Sequence, residues 1–187
     1  MEHTDDAAAA AYLRFLQGDD GAVAEVIENC RPGLQLYLYA LTGDMPLAED
    51  VTQDTFIKLF VRRPRYRRDA AFKTWLYTIG RNLAYTALRR RRREEPCALP
   101  PEDTDAREGP EALFFKEEQK RRLHGAMDKL PPSYRQILWL TYFEGLSGRD
   151  AAQIMGITVH NADVLRSRAK AALKKQLLKE GIMDEIE

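Results

Sequence analysis

The chain has 187 residues, enough for one ordinary domain or two small ones. Eleven glycines and nine prolines are ordinary usage, which excludes a collagen-like or low-complexity chain, and a 44% hydrophobic fraction is enough to bury a core. The longest strictly apolar run, Ala7–Leu13, falls far short of the roughly 18 residues that span a bilayer. Its flanks Asp5, Asp6 and Arg14 do not make a leader peptide, so no membrane insertion is expected. Cys30 and Cys97 form neither a CxxC clip nor a metal cage, and the chain reads as a soluble, cytoplasmic protein.

Lys+Arg and Asp+Glu are both 29, but the zero net charge is unevenly spread. Residues 1–61 carry −8, residues 62–93 carry +11, residues 94–118 carry −7 and residues 119–187 carry +4. The basic stretch, with aromatic residues between its bases, has the charge density expected of a polyphosphate-binding surface.

Apolar residues recur at helical spacing almost everywhere, with no sustained strand alternation. The pattern predicts a short Ala-rich helix over Ala7–Gln17. Asp19 and Asp20 are placed to cap a second helix from about Gly21 to Leu41, interrupted near Pro32–Gly33. Pro46 suits the first turn of a third helix ending near Arg63, and Asp69 is placed to cap a fourth that reaches through Ala87 into the Arg run. Glu94–Pro110, with Pro96, Pro100, Pro101 and Pro110 among many acids, reads as a linker. Helical patterning resumes at Glu111–Leu130, stops at Pro131–Pro132, and resumes at Ser133–Glu144, Ser147–Met155 and Val159 to about Lys179. The expected fold class is therefore all-α: two helical domains, residues 7–93 and 111–180, joined by an acidic proline-rich linker over 94–110.

In the fourth helix, Phe72, Trp75, Leu76, Ile79 and Leu83 share one face and are expected to be buried. Lys73, Tyr77 and Arg81 lie opposite, with Thr74, Asn82 and Tyr85 beside them. A basic face with exposed rings suits single-stranded nucleic acid, because cations follow phosphates while rings stack on unpaired bases. The bland alternative is that Tyr77 and Tyr85 pack on a neighbouring helix. Upstream, Arg62–Ala70 sets Tyr66 among five arginines, a loop suited to holding a flipped base.

Leu146–Lys170 reads as a helix-turn-helix. Ser147 is placed to cap its first helix, Ala152 allows close crossing, and Gly156 supplies the turn. Ala162, Leu165 and Ala169 face inward, leaving His160, Asn161, Asp163, Val164 and Arg166 on the half that enters a major groove. Arg168, Lys170 and Lys174 are placed for phosphates. His3, His124 and His160 are far apart, and the chain has no P-loop, GxSxG or GxGxxG, so no metal, cofactor or catalytic group is expected. An enzyme is not expected.

Three blocks now stand in order: Ala48–Phe60 (AEDVTQDTFIKLF), Phe72–Arg93 (FKTWLYTIGRNLAYTALRRRRR) and Leu130–Leu173. Together they resemble the extracytoplasmic-function (ECF) class of bacterial RNA polymerase sigma factors, over nearly the whole chain. The resemblance implies a transcription initiation factor whose partners are core RNA polymerase, through its β′ clamp and β flap, promoter DNA and an anti-sigma factor. It implies that Asp50, Gln53, Asp54, Phe56 and Leu59 dock on the clamp helices. It also implies that Arg65, Tyr66, Arg67, Arg68, Lys73, Thr74, Trp75, Tyr77, Arg81 and Asn82 melt and read the minus-ten element as single strand. His160, Asn161, Asp163, Val164, Arg166, Arg168 and Lys170 would then read the minus-thirty-five element as duplex, with the linker threading the polymerase near the RNA path.

One departure stands out. The family commonly has Lys, Ser and Arg where this chain has Asp163, Val164 and Leu165. Two positive charges are missing, and the acid can accept a hydrogen bond from cytosine, so an atypical minus-thirty-five sequence or weaker upstream dependence is expected. The competing reading is a stand-alone helix-turn-helix regulator with an N-terminal sensor domain, which leaves the aromatic, Arg-rich stretch unused. A further expectation is that the −7 linker covers the +11 stretch in the free protein.

Overall fold

The computed structural model describes residues 2–94 and 118–179, all helical or in short connections, with no strand among the described residues. The predicted linker therefore lies, Glu94 apart, outside the described residues, as does its expected masking of the basic stretch.

Four helices build the N-terminal half: α1 (Glu2–Leu16), α2 (Ala22–Thr42), α3 (Met45–Arg62) and α4 (Phe72–Glu94). In α1, Ala8, Ala11, Tyr12 and Phe15 repeat at three- and four-residue steps and are buried. Helix α2 runs unbroken through Pro32, where the sequence pattern predicts an interruption. Proline removes one backbone bond and crowds the preceding turn. Here its ring lies on the exposed side, and Val26, Cys30, Leu34, Tyr37 and Leu38 fix the helix from the buried side. Asp19 does not cap α2 from the N-cap position, which Gly21 occupies; its carboxylate accepts from the Gly21 amide instead.

Gly43 ends α2 at φ 70°, and its amide donates to Tyr39 O. Asp44 then caps α3, accepting from the Leu47 amide at 3.0 Å, with Pro46 in the first turn as expected. Burial pushes the Asp44 carboxyl up, but the Arg91 guanidinium at 2.6 Å and the Leu47 amide outweigh it and hold it below the usual range. Helix α4 starts at Phe72, so Asp69 stands in the preceding loop and not at the cap. Gly80 lets α4 approach closely: a Cβ there would lie 3.0 Å from Leu34 Cδ1 and 3.3 Å from Thr55 Oγ1.

The C-terminal half comprises α5 (Glu118–Asp128), α6 (Pro132–Leu138), a π-helical turn (Trp139–Phe143), α7 (Gly148–Met155) and α8 (Val159–Lys179). The sequence pattern reads Ser133–Glu144 as one helix; the structure widens its second half, with Glu144 N donating to Trp139 O. An extra residue in a turn advances everything after it by one position. Trp139 and Phe143 stack at 4.5 Å across this turn, with the His124 ring tilted against both. Ser147 caps α7 through the Asp150 amide, and Gly156 ends it at φ 66°. Ile157 N donates back to Ala152 O, and buried Ala151, Ala152, Ala162 and Ala169 let α7 and α8 cross closely. This is the helix-turn-helix that the sequence predicts.

The two halves share one core, and α4 runs between them, packed on α2 and α3 on one side and on α7 on the other.

Burial lowers the His124 imidazole to about 4. A histidine buried neutral contributes stability above its unfolded pKa of about 6.5, and loses it as pH falls toward the folded value. Thermal melts followed by tryptophan fluorescence are expected to show stability falling between about pH 6.5 and 4. His124→Leu should flatten that slope. An unchanged slope would mean that His124 is not the group responsible.

Candidate nucleic-acid and partner surfaces

The Arg-rich segment between α3 and α4 is held from beneath. Tyr12 Oη donates to Pro64 O at 2.7 Å, and Tyr66 Oη donates to Ala70 O at 2.7 Å. The Tyr66 ring packs on Phe72 and Trp75, which in turn pack on Tyr12. Tyr66 and Trp75 are consequently half-buried in an aromatic floor, whereas Arg65, Arg67 and Arg68 project into solvent above it. Arg63 and Arg68 adopt positive φ (45° and 58°), a backbone region that costs a non-glycine residue about 1–3 kcal/mol. The loop is therefore shaped by its floor and not by its own preferences.

The polar face of α4 is not free. Thr74 and Tyr77 are fully buried, and Lys73 and Arg81 are partly covered. The Lys73 ammonium pairs with Glu144 at 3.0 Å, with the two side chains only 17% and 9% exposed. Thr74 Oγ1 donates to the Asp150 carboxylate at 3.2 Å. Tyr77 stacks on Tyr37 at 5.4 Å, and burial, reinforced by the Glu144 carboxylate, pushes its phenol far above the usual range. The Arg81 guanidinium lies over the Tyr85 ring at 4.7 Å, and a Cβ added at Gly156 would lie 3.4 Å from its nitrogens. The expectation that Lys73, Thr74, Tyr77 and Arg81 form a solvent-facing strip is thus corrected: acids of the C-terminal half engage Lys73 and Thr74, and Tyr77 packs on the neighbouring α2. Asn82 and Tyr85, one turn further on, are exposed.

On α3, Asp50, Gln53 and Asp54 are exposed. Phe56 and Leu59 are not; they are 7% and 0% exposed and belong to the core, where no partner reaches them. The apolar residues on the outer side are Ile57 and Val61, 58% and 72% exposed. Their spacing from Asp50 and Asp54 was the available signal, since residues three and four apart share a face.

At the helix-turn-helix, His160, Asn161, Asp163, Arg168 and Lys170 are exposed and Val164 and Arg166 half-buried. Asp163 is engaged: its carboxylate accepts from Arg166 Nη2 at 3.0 Å. Leu165 is half-buried against the core, and Ala162 and Ala169 face inward as expected.

Residues 26–94 match the family model of sigma-70 region 2, and residues 120–173 match that of sigma-70 region 4. The chain is 35% identical over 174 residues to the RNA polymerase sigma-H factor of Pseudomonas aeruginosa, covering 88% of this chain and 90% of that one. It is 32% identical over 179 residues to the ECF RNA polymerase sigma factor SigD of Mycobacterium tuberculosis, covering 92% and 84%. The chain belongs to the ECF family of RNA polymerase sigma factors. As a sigma factor it binds core RNA polymerase and directs it to promoters, and the stand-alone regulator is not favoured. Among solved structures, the sigma factor RpoE in complex with the anti-sigma factor NepR from Bartonella quintana is similar. Its TM-score is 0.64, at 26% identity, over 81% of this chain and 93% of that one. CnrH in complex with the cytosolic domain of CnrY shares the fold, with a TM-score of 0.61 at 22% identity over 92% and 96%. In this sigma factor, α2–α4 fall within region 2, apart from the first turn of α2, and α6 to α7 and most of α5 and α8 within region 4. No helix among the described residues is long and apolar enough to cross a membrane.

Removing the Tyr12 hydroxyl with Tyr12→Phe deletes the bond to Pro64 O and is expected to cost about 1 kcal/mol. Limited trypsin digestion should then cut faster after Arg65, Arg67 and Arg68. An unchanged cutting rate would show that Tyr12 does not hold the loop.

Proposed function

We propose that the surfaces divide the work of promoter recognition as follows. The exposed strip of α3, Asp50, Gln53 and Asp54 with Ile57 and Val61, docks on the clamp helices of the polymerase β′ subunit, and region 4 docks on the β flap. Arg65, Arg67 and Arg68, with Lys73, Thr74, Tyr77, Arg81 and Asn82 of α4, take the melted minus-ten strand; Tyr66 and Trp75 shape the floor beneath it. The first half of α8, with His160, Asn161, Asp163, Val164 and Arg166, reads the minus-thirty-five duplex, while Arg168 and Lys170 hold phosphates. The domains run over 7–93 and 111–180, with 94–110 as the tether. The protein acts in the cytoplasm, without catalysis, metal or cofactor, and an anti-sigma factor restrains it by covering polymerase-binding surface, in line with the anti-sigma complex of its structural relative.

The observation that carries this reading is the coexistence of three surfaces on one chain. An arginine loop on an aromatic floor, a helix-turn-helix, and an acidic strip with bare Ile57 and Val61 serve different partners. An exposed isoleucine beside carboxylates suits a protein interface better than DNA, whose phosphates the acids would repel.

Co-elution with bacterial core RNA polymerase on a sizing column tests the docking assignment. Wild type should co-elute, and Asp54→Ala/Ile57→Asp should lose most of that binding with its melting temperature unchanged. Phe56→Ala should instead destabilise the fold by about 3–5 kcal/mol. Full binding by Asp54→Ala/Ile57→Asp would remove α3 from the polymerase interface.

A further inference from the structure

Helix α8 carries an acid on the half assigned above to the major groove. Asp163 and Arg166, one turn apart, are joined: the Asp163 carboxylate accepts from Arg166 Nη2 at 3.0 Å. The pair lies against Gly148, the first residue of α7. A Cβ there would lie 3.3 Å from Asp163 Oδ1 and 3.6 Å from Arg166 Nη1. The bare glycine therefore leaves room for the pair, and it sets the carboxylate beside the opening turn of α7, where free amides favour negative charge. The start of α8 is fixed as well, because Thr158 Oγ1 accepts from the Asn161 amide at 3.1 Å.

Stability does not account for this pair. An exposed ion pair three residues apart adds little to a helix, and a carboxylate is a poor neighbour for DNA phosphates. What the pair does is fix a guanidinium. A free arginine samples many rotamers and loses that freedom on binding, whereas one already held by an acid does not. Asp163 engages Nη2, and the other N–H donors of the planar fork stay unspent. Such a fork matches the O6 and N7 acceptors that guanine presents in the major groove. The oxygen that Arg166 binds, Oδ1, is also the one against Gly148, so the acid that the sequence offers to cytosine is already committed within the protein.

We propose that Asp163 is a positioning residue: it holds Arg166 for a guanine of the minus-thirty-five element, with Gly148 as the seat of the pair. The two charges cancel, so discrimination comes from Arg166 while attraction to the backbone comes from Arg168 and Lys170. This rests on the assignment of α8 to the minus-thirty-five duplex. Removing the acid should separate the two quantities, lowering discrimination while raising attraction to DNA as a whole.

The test loads the full chain and its variants on bacterial core RNA polymerase and selects from a duplex library randomised across promoter length. Sequencing the bound pool gives the base preference at each upstream position, and binding of the unselected pool gives the overall affinity. Wild type should favour guanine at one upstream position about tenfold, within the range of a bidentate arginine. Arg166→Ala should lose that preference. Asp163→Ala should lower it severalfold while binding of the unselected pool holds or rises, a combination that structural damage does not produce. Asp163→Asn keeps an acceptor oxygen and should retain most of the preference. A guanine preference left intact by either alanine variant overturns the inference while the minus-thirty-five assignment stands. Loss of a cytosine preference in Asp163→Ala also overturns it, because Asp163 then reads a base directly. So does loss of the preference together with all duplex binding, which marks a merely structural role. A wild-type motif with no upstream position would overturn the minus-thirty-five assignment itself, and the inference with it.

Discussion

Helix α4 is buried on two sides, and the rest of the molecule is arranged by what those sides require. One side offers Phe72, Leu76 and Ala84 to α1–α3 and needs only apolar partners, with Gly80 setting the distance. The other side carries Lys73, Thr74, Tyr77 and Arg81, whose polar atoms cost free energy to bury without partners. Region 4 supplies Glu144 to Lys73 and Asp150 to Thr74, while Tyr77 stacks on Tyr37 and Gly156 leaves room for the Arg81 guanidinium. A covered ion pair of this kind adds little net stability, because desolvation consumes most of the Coulomb attraction, whereas removing one partner costs about 3–5 kcal/mol. Parting the halves breaks the pair without deleting either partner, which avoids that cost. The seam is thus specific in its chemistry and inexpensive to open, which suits a contact that a larger partner must displace.

The charge distribution gives the same picture at longer range. Zero net charge keeps the protein from clinging to any polyanion through its total field, while the +11 stretch concentrates positive potential where strand recognition is assigned. Arg65, Arg67 and Arg68 remain outside the seam and keep that potential available for steering. The aromatic floor of Tyr12, Tyr66, Phe72 and Trp75 holds these arginines in a strained loop that isolated sequence preferences would not choose.

Much of this architecture is legible in the sequence, because its determinants are local. Asp44–Pro46 and Ser147 announce helix starts, Gly156 announces the turn of the helix-turn-helix, and three- and four-residue steps mark the buried faces. Pro32 misleads because its effect depends on which side of α2 it occupies. The π-helical turn is invisible because one extra residue is decided by packing of Trp139, Phe143 and His124. Phe56 and Ile57 are adjacent and both apolar, so only the packed helix tells core from surface. The covering of α4 lies beyond any local signal: periodicity assigns a polar strip to solvent, while its partner Glu144 stands 71 residues away.

Region 4 holds one face of α4 in the free protein, and the minus-ten assignment requires that face to open when polymerase binds. Pulsed EPR measures this most directly, with spin labels at Glu28→Cys and Lys175→Cys, both exposed and outside the assigned surfaces, in a Cys30→Ala/Cys97→Ser background. The free protein should give one narrow distance distribution, replaced by a longer one on adding core RNA polymerase. The same short distance in both states would contradict the account.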